Sequence, residues 1–292
     1  KIFKKYQSKE VASSVEQYQE LAHHIFENLL PNNIYGSLGK EVILILNNEL
    51  CGLSFESLVD VTLENSDFCS LNYLVQKHDF YYLPSDQFLV AFNDKSALNQ
   101  YTAMAFSDKK TLDASPQYLN ELPYAIKELK MLEEAFPSVK LMTGRNATVK
   151  NFIDILSEGK GYLHVATHST FKNEGNDGTK LYFRNRDFTL DSIYNFELLG
   201  VESEIDLIYL ASCDSANGEY KETEGLYDFK RYLLMCGVKS VISSNWKVND
   251  FSSSQLIKAF VQNDLNLNQA KRVFLSDNPD LCHPYYWSNV VH

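Results

Sequence analysis

The sequence predicts an α/β protein: a mostly parallel sheet flanked by helices on both faces, preceded by a smaller N-terminal half. Three observations carry this. From about residue 100 onward, apolar runs of strand length alternate with helical stretches, the rhythm of β-α-β units. The run IDLIYLAS at 205–212 shows no polar alternation, as expected of a strand buried on both faces. Proline and glycine punctuate the helices in the right places, with Pro123 near one start and Gly159 past another end.

Each element follows in order. Residues 1–30 read as helix, because Val15, Tyr18, Leu21, Ala22, Ile25 and Leu29 recur at spacings of three and four before LLPNN ends the run. EVILILNNELCGLSF reads as a strand, an NN turn and a hairpin-like continuation. HDFYYLPS is a short strand stopped by Pro84, and the polar FNDKSALNQ is a linker. We place a boundary near residue 96, so that 1–95 form a helical lead-in plus a smaller half and 96–292 the main domain. Beyond it come the strand YTAMAF, the helix LPYAIKELKMLEEAFP, the strand VKLMTG and the helix ATVKNFIDILSEG. The strands GYLHVAT and IDLIYLAS follow, then the helix EGLYDFKRYLLMCG, the strand VKSVISSNW and the helix SSSQLIKAFVQN.

Composition narrows the function. The 292 residues carry 27 basic and 38 acidic side chains, a net charge of −11. Nucleic-acid binding needs a basic face, so that class is set aside. An acidic surface suits a basic substrate or partner. No run of about 18 apolar residues is present to span a membrane. KIFKKYQSKEV has no apolar stretch behind its basic residues, so it is not a signal peptide, and without an initiator Met the chain reads as part of a longer protein. The five cysteines are odd in number and scattered, without a CxxC pair. A disulfide framework or zinc cluster is not expected, and a reducing cytoplasm is.

In open parallel sheets, sites form where strands end at their carboxyl edge. GYLHVATHST delivers His168 to such an end, and IDLIYLASCDS delivers Cys213. If the two strands are neighbours, imidazole and thiol share a crevice. A free thiol is only a few per cent thiolate at neutral pH, and a nearby imidazole can take its proton. Small residues after the cysteine leave room for a substrate. Alone, each residue would more often be a core side chain; the pairing gives them meaning. His164 lies on the same strand, about 13 Å from His168. It is expected to be a hydrogen-bonded core histidine and not a metal ligand.

The sequence resembles the CHAT family, caspase-like peptidases in the clan of caspases and separase. HVATHS and LASCDS match its histidine and cysteine strand ends. EGLYDFKRYLLMCG, GVKSVISSNWKVND and HPYYW at 283–287 match its later motifs in order. Weaker likeness runs upstream through LLP, YYLPS, LPYAIKEL and GRNATVKNF, so nearly the whole chain is covered. The resemblance implies a caspase-like fold whose residues 1–95 include a non-catalytic half, with no metal or organic cofactor. It implies that His168 is the general base and Cys213 the nucleophile. The backbone N–H groups of Cys213 and Ser169 would form the oxyanion hole. Ser169 departs from the family's usual glycine, and a requirement for positive φ there would strain a serine.

Asp250 closes the motif W-x-V-x-D. In separase a similarly placed acid selects arginine, so Asp250 is a candidate S1 residue for Arg or Lys. It would equally serve as the acid at a helix N-terminus. Asp214 is a second substrate-facing candidate, against a turn role. Trp246 and the PYYW cluster read as core aromatics. FKNEGNDGTKLYFRNRDF reads as a loop passing into a β-hairpin beside the site, where a switchable loop would assemble the pocket.

The resemblance further implies a bacterial endopeptidase, often joined to upstream helical repeats that recognise a partner. It would act in defence or regulated proteolysis on a dedicated protein such as a gasdermin-like pore former or a regulatory subunit. A catalytically silent caspase-like interaction module is the alternative, with a thiol acyltransferase or hydrolase as a third reading.

Overall fold

The computed structural model describes residues 14–47, 50, 52–64, 67–93, 98–106, 110–111, 118–119, 122–170, 180–189, 202–212, 219–221, 225–227, 229–246 and 250–292. Helix α1 (Val15–Leu29) starts where Ser14 accepts the N–H of Gln17 at 3.2 Å. Its buried face is Tyr18, Ala22, Ile25 and Phe26, close to the predicted stripe. Strands β1 (Glu41–Leu44) and β2 (Asp79–Tyr82) pair in parallel, with Val42 opposite Phe80. This corrects the hairpin expected after β1. The stretch Phe55–Ser57 is a 3₁₀ turn with all three residues buried. A strand points alternate residues to opposite faces and could not bury three in a row on one side.

Then follow β3 (Tyr101–Ala105), α2 (Pro123–Ala135), β4 (Lys140–Thr143), α3 (Val149–Glu158) and β5 (Lys160–Ala166). Short strands β6 (Ser169–Thr170), β7 (Lys180–Tyr182) and β8 (Asp187–Thr189) lead to β9 (Glu204–Ala211). Next come β10 (Glu219–Lys221), β11 (Gly225–Tyr227), α4 (Phe229–Met235) and β12 (Ser240–Ser244). The last helices are α5 (Asp250–Gln262) and α6 (Leu267–Asp277).

Two differences from the sequence reading stand out. EGLYDFKRYLLMCG does not form one helix: β10 and β11 make an antiparallel hairpin, with Lys221 opposite Gly225, before α4 begins. Glycine is a poor helix interior residue, so the helix starts only past it. Helix α6 is an addition, because the turn before it runs through Asp264 and Leu265 at φ 52° and 58° and carries no glycine to announce it.

The chain divides into two compact units. One comprises Lys1–Leu83 with Val248–His292, the other Pro84–Lys247. This division differs from a single cut near residue 96, since the C-terminal segment groups with the N-terminal one.

Among the described residues, the second unit holds five parallel strands in the order β12-β9-β5-β3-β4. The crossover from β3 to β4 runs one way along the sheet; those from β4 to β5 and from β9 to β12 run the other. Right-handed crossovers therefore put α2 on one face and α3 and α4 on the other. Side chains agree: Glu128 of α2 meets His164 of β5, while Phe152 of α3 and Phe229 of α4 both meet the ring of Phe188. Gly161, at φ 73°, opens β5; a Cβ there would sit 2.3 Å from the carbonyl oxygen of Gln100.

In the first unit, α6 is sewn to β2 by polar side chains. Asn268 accepts the N–H of Phe80 and donates to its carbonyl, at 3.0 and 3.2 Å. Lys271 pairs with Glu56, whose other oxygen accepts the hydroxyl of Tyr82, all in the interior. Burial pulls the ammonium of Lys271 below its ordinary pKa while the Glu56 carboxylate opposes the shift. Lys271→Ala would leave that carboxylate buried without its cation, and we expect a loss of about 3–5 kcal/mol in urea unfolding. Lys271→Met combined with Glu56→Gln removes both charges and should lose much less.

Cys69 and Cys282 form a disulfide in this unit, spanning 213 positions of sequence. This corrects the expectation that the cysteines stay unpaired. Spacing along the chain did not announce the bond, because its two ends come from distant segments. The inference of a reducing compartment rested on unpaired thiols and loses that ground, since such bonds persist where conditions are oxidising. Around the bond, Trp287 is fully buried, meets Tyr73 edge-on at 5.1 Å and donates to the Cys282 carbonyl at 3.1 Å. Tyr286 is buried too, as the PYYW reading expects, whereas Trp246 is half-buried. Among the described residues, no helix is long and apolar enough to cross a membrane.

Candidate active site

Strands β5 and β9 are neighbours in the second unit, parallel, with Ala166 opposite Ala211. Both end at that level. β5 is buried from Gly161 to Ala166 and β9 from Leu207 to Leu210, which is why both read as mainly apolar runs. On one side the chain leaves the sheet through Thr167 and His168, on the other through Ser212. His168 is half-buried at this carboxyl edge. Cys213, covalently next to Ser212, lies outside the described residues, as does Asp214.

The segment after His168 is held in a three-stranded antiparallel ribbon ordered β8-β7-β6. Ser169 faces Leu181, and Tyr182 donates its N–H to the His168 carbonyl at 3.0 Å across that pair. This is the widely spaced type of antiparallel pair, in which the residue's own N–H points to the opposite edge of the strand. The N–H of Ser169 is thus turned away from β7. Ser169 is extended backbone; among the described residues the non-glycine positive-φ positions are Asp264 and Leu265. Serine at this position is free of the backbone strain that its departure from glycine raised.

The ribbon is itself anchored. Phe183 and Phe188 are fully buried and pack on Phe152 of α3. At the hairpin tip, the N–H of Arg184 donates to the Ala147 carbonyl at 2.9 Å. Asn185 accepts the N–H of Val149 at 3.0 Å, so the tip caps the start of α3 beside its N-cap Thr148. The hairpin read from KLYFRNRDF is present; residues 171–179, the proposed switchable loop, lie outside the described residues.

His164 is a hydrogen-bonded core histidine, as expected. It is fully buried, with Nε2 3.0 Å from Glu128 and Nδ1 3.0 Å from the hydroxyl of Tyr162. Its ring stacks on Tyr209 at 5.3 Å. Among the described residues, no cluster of His, Cys, Asp or Glu could hold a metal. His78 bonds the Gly39 carbonyl at 2.7 Å and Cys69 is in its disulfide, so these two form no thiol–imidazole pair. Asp250 is the first residue of α5, in the first unit, the place that the helix-terminal reading assigns it. Its side chain lies outside the description.

Cys236, in the second unit, is the free cysteine among the described residues. It is buried, and that burial pushes its pKa up to about 11. Its protonated form is favoured by folding, so this contribution is complete below about 9 and is lost as pH rises through about 11. In the folded chain at neutral pH, iodoacetamide should leave Cys236 unmodified, as peptide mass mapping before and after denaturation would show.

The second unit thus combines a parallel sheet covered by helices on both faces with His168 at one strand end and Cys213 covalently next to the adjoining one. Gingipain R (RgpB), an Arg-specific cysteine proteinase, is similar in fold, with a TM-score of 0.51 at 11% identity, over 99% of this chain and 71% of its own. A complex of the pro- and mature domains of RgpB from Porphyromonas gingivalis matches with a TM-score of 0.49 at 10% identity, over 99% and 72%. No curated protein matches. The CHAT domain model matches residues 16–292, and the chain belongs to the CHAT domain family. Family and fold together support a function of the cysteine-peptidase type.

Proposed function

We propose that this protein is a cysteine endopeptidase in which His168 activates Cys213. The observation that carries this is the register of β5 and β9. His168 and Cys213 each lie two residues beyond the facing pair Ala166 and Ala211. The imidazole would take the thiol proton, and the thiolate would attack the substrate carbonyl. The resulting oxyanion would meet the N–H groups of Ser169 and Cys213. The outward turn of the Ser169 N–H supports that role. The imidazolium would then protonate the leaving amine, and water would hydrolyse the acyl-enzyme.

Asp250 and Asp214 would select a basic residue before the cut. The substrate would be a dedicated protein, such as a gasdermin-like pore former or a regulatory subunit, in a bacterial defence or regulated-proteolysis system. Upstream helical repeats or an activator protein would supply recognition. The test is covalent labelling with a peptidyl electrophile carrying lysine or arginine next to the warhead. Labelling at Cys213, lost in Cys213→Ala, is the expected result. No labelling at Cys213 by any peptidyl electrophile would leave a silent interaction module in its place. Sequencing of new N-termini in a treated proteome checks the basic preference, and cleavage after non-basic residues removes Asp250 from the pocket.

A further inference from the structure

Thr167 lies between the last residue of β5 and His168, and it is 2% exposed. Its hydroxyl donates to the carbonyl of Tyr182. The N–H of Tyr182 donates to the carbonyl of His168 at 3.0 Å. Both main-chain groups of one residue thus hold the two positions at which the histidine strand leaves the sheet. Tyr182 is a fixed point, because β7 pairs on its other side with β8, Leu181 facing Phe188, and the hairpin tip is fastened to the start of α3. A buried threonine needed only for packing would be replaceable by valine, which has the same shape. Here the oxygen has a specific acceptor, at the point where parallel sheet gives way to antiparallel ribbon.

We propose that Thr167 is a positioning residue: its hydroxyl, held by the Tyr182 carbonyl, sets the place of the His168 imidazole and the direction of the Ser169 N–H. The proposal rests on the peptidase reading above. A displacement of about 1 Å in a reacting group can lower a rate by roughly 100-fold. Thr167→Val is therefore expected to lower kcat by about 10–100-fold, with KM nearly unchanged. Thr167→Ser keeps the hydroxyl and should stay close to wild type, while Thr167→Ala should fall with the valine variant. The pH profile of Cys213 alkylation gives an independent readout. In the wild type the thiol should ionise below its ordinary value of about 8.5; without the hydroxyl the profile should move back toward it.

Serine and alanine differ by one oxygen atom, so that pair decides the matter even if the valine variant does not fold. Equal kcat values and equal alkylation profiles for Thr167→Ser and Thr167→Ala would overturn the proposal. A wild-type chain that neither labels at Cys213 nor cleaves peptides would overturn the peptidase reading itself, and with it this role for Thr167. A wild type that cleaves while Ser and Ala variants match it would overturn the role of Thr167 alone.

Discussion

Cys213→Ala is expected to abolish peptide hydrolysis, and His168→Ala to lower kcat by a factor on the order of 10⁴ or more. The two losses have different chemistry, which makes them a test and not a formality. Without Cys213 no acyl-enzyme forms. Without His168 the thiol remains but reverts toward a pKa of about 8.5, where a few per cent is ionised at neutral pH. Alkylation of Cys213 in the His168→Ala protein should therefore slow only about 10–30-fold, set by that thiolate fraction. It should recover as pH rises through about 8.5. Hydrolysis should not recover, because the departing amine still lacks a proton donor. Simultaneous recovery of both with pH would mean that His168 serves only to ionise the thiol. Hydrolysis persisting in Cys213→Ala would place the nucleophile elsewhere.

The second large effect concerns stability. Closing a loop of 213 positions removes much of the unfolded chain's freedom, roughly 5 kcal/mol in the chain-entropy account. Measured values for disulfides run from about 2 to 5 kcal/mol. Either Cys69→Ser with Cys282→Ser or a dithiol reductant should lower stability by that amount in urea unfolding, and the reductant should add nothing to the double variant. Cys282 also accepts the Trp287 indole N–H through its carbonyl, an interaction that survives reduction. The folded arrangement of the aromatic cluster should then be kept while its stability falls. Unchanged unfolding under reduction would show that packing around Trp287 carries this region alone.

The sheet was legible in the sequence where burial is uniform. β5 and the Leu207–Leu210 stretch of β9 are buried at consecutive positions, so their apolar runs show no alternation and their ends are sharp. The candidate site inherits this clarity, since His168 follows one such end and Ser212 the other. His164 was legible for the same reason, sitting inside a run where only a fully partnered histidine is tolerated. Pairings between distant segments were not. β1 finds β2 across an irregular stretch with no period to read, and Cys69 finds Cys282 across most of the chain. Local signals also misled where tertiary contacts override them: Gly225–Tyr227 pair with Glu219–Lys221 instead of opening α4. The role of Thr167 was invisible, because its acceptor comes from a strand whose docking no sequence pattern announces.

The grouping of Lys1–Leu83 with Val248–His292 has a consequence for how the protein is made. The ribosome releases the whole of Pro84–Lys247 before it has supplied what Lys1–Leu83 needs. The middle of the chain can thus collapse during translation, while the N-terminal strands and α1 wait, partly bare, for α6 and Trp287 to emerge. A chaperone that shields exposed apolar surface would have its longest task on Lys1–Leu83. Premature termination after residue 247 would strand Lys1–Leu83 without Val248–His292.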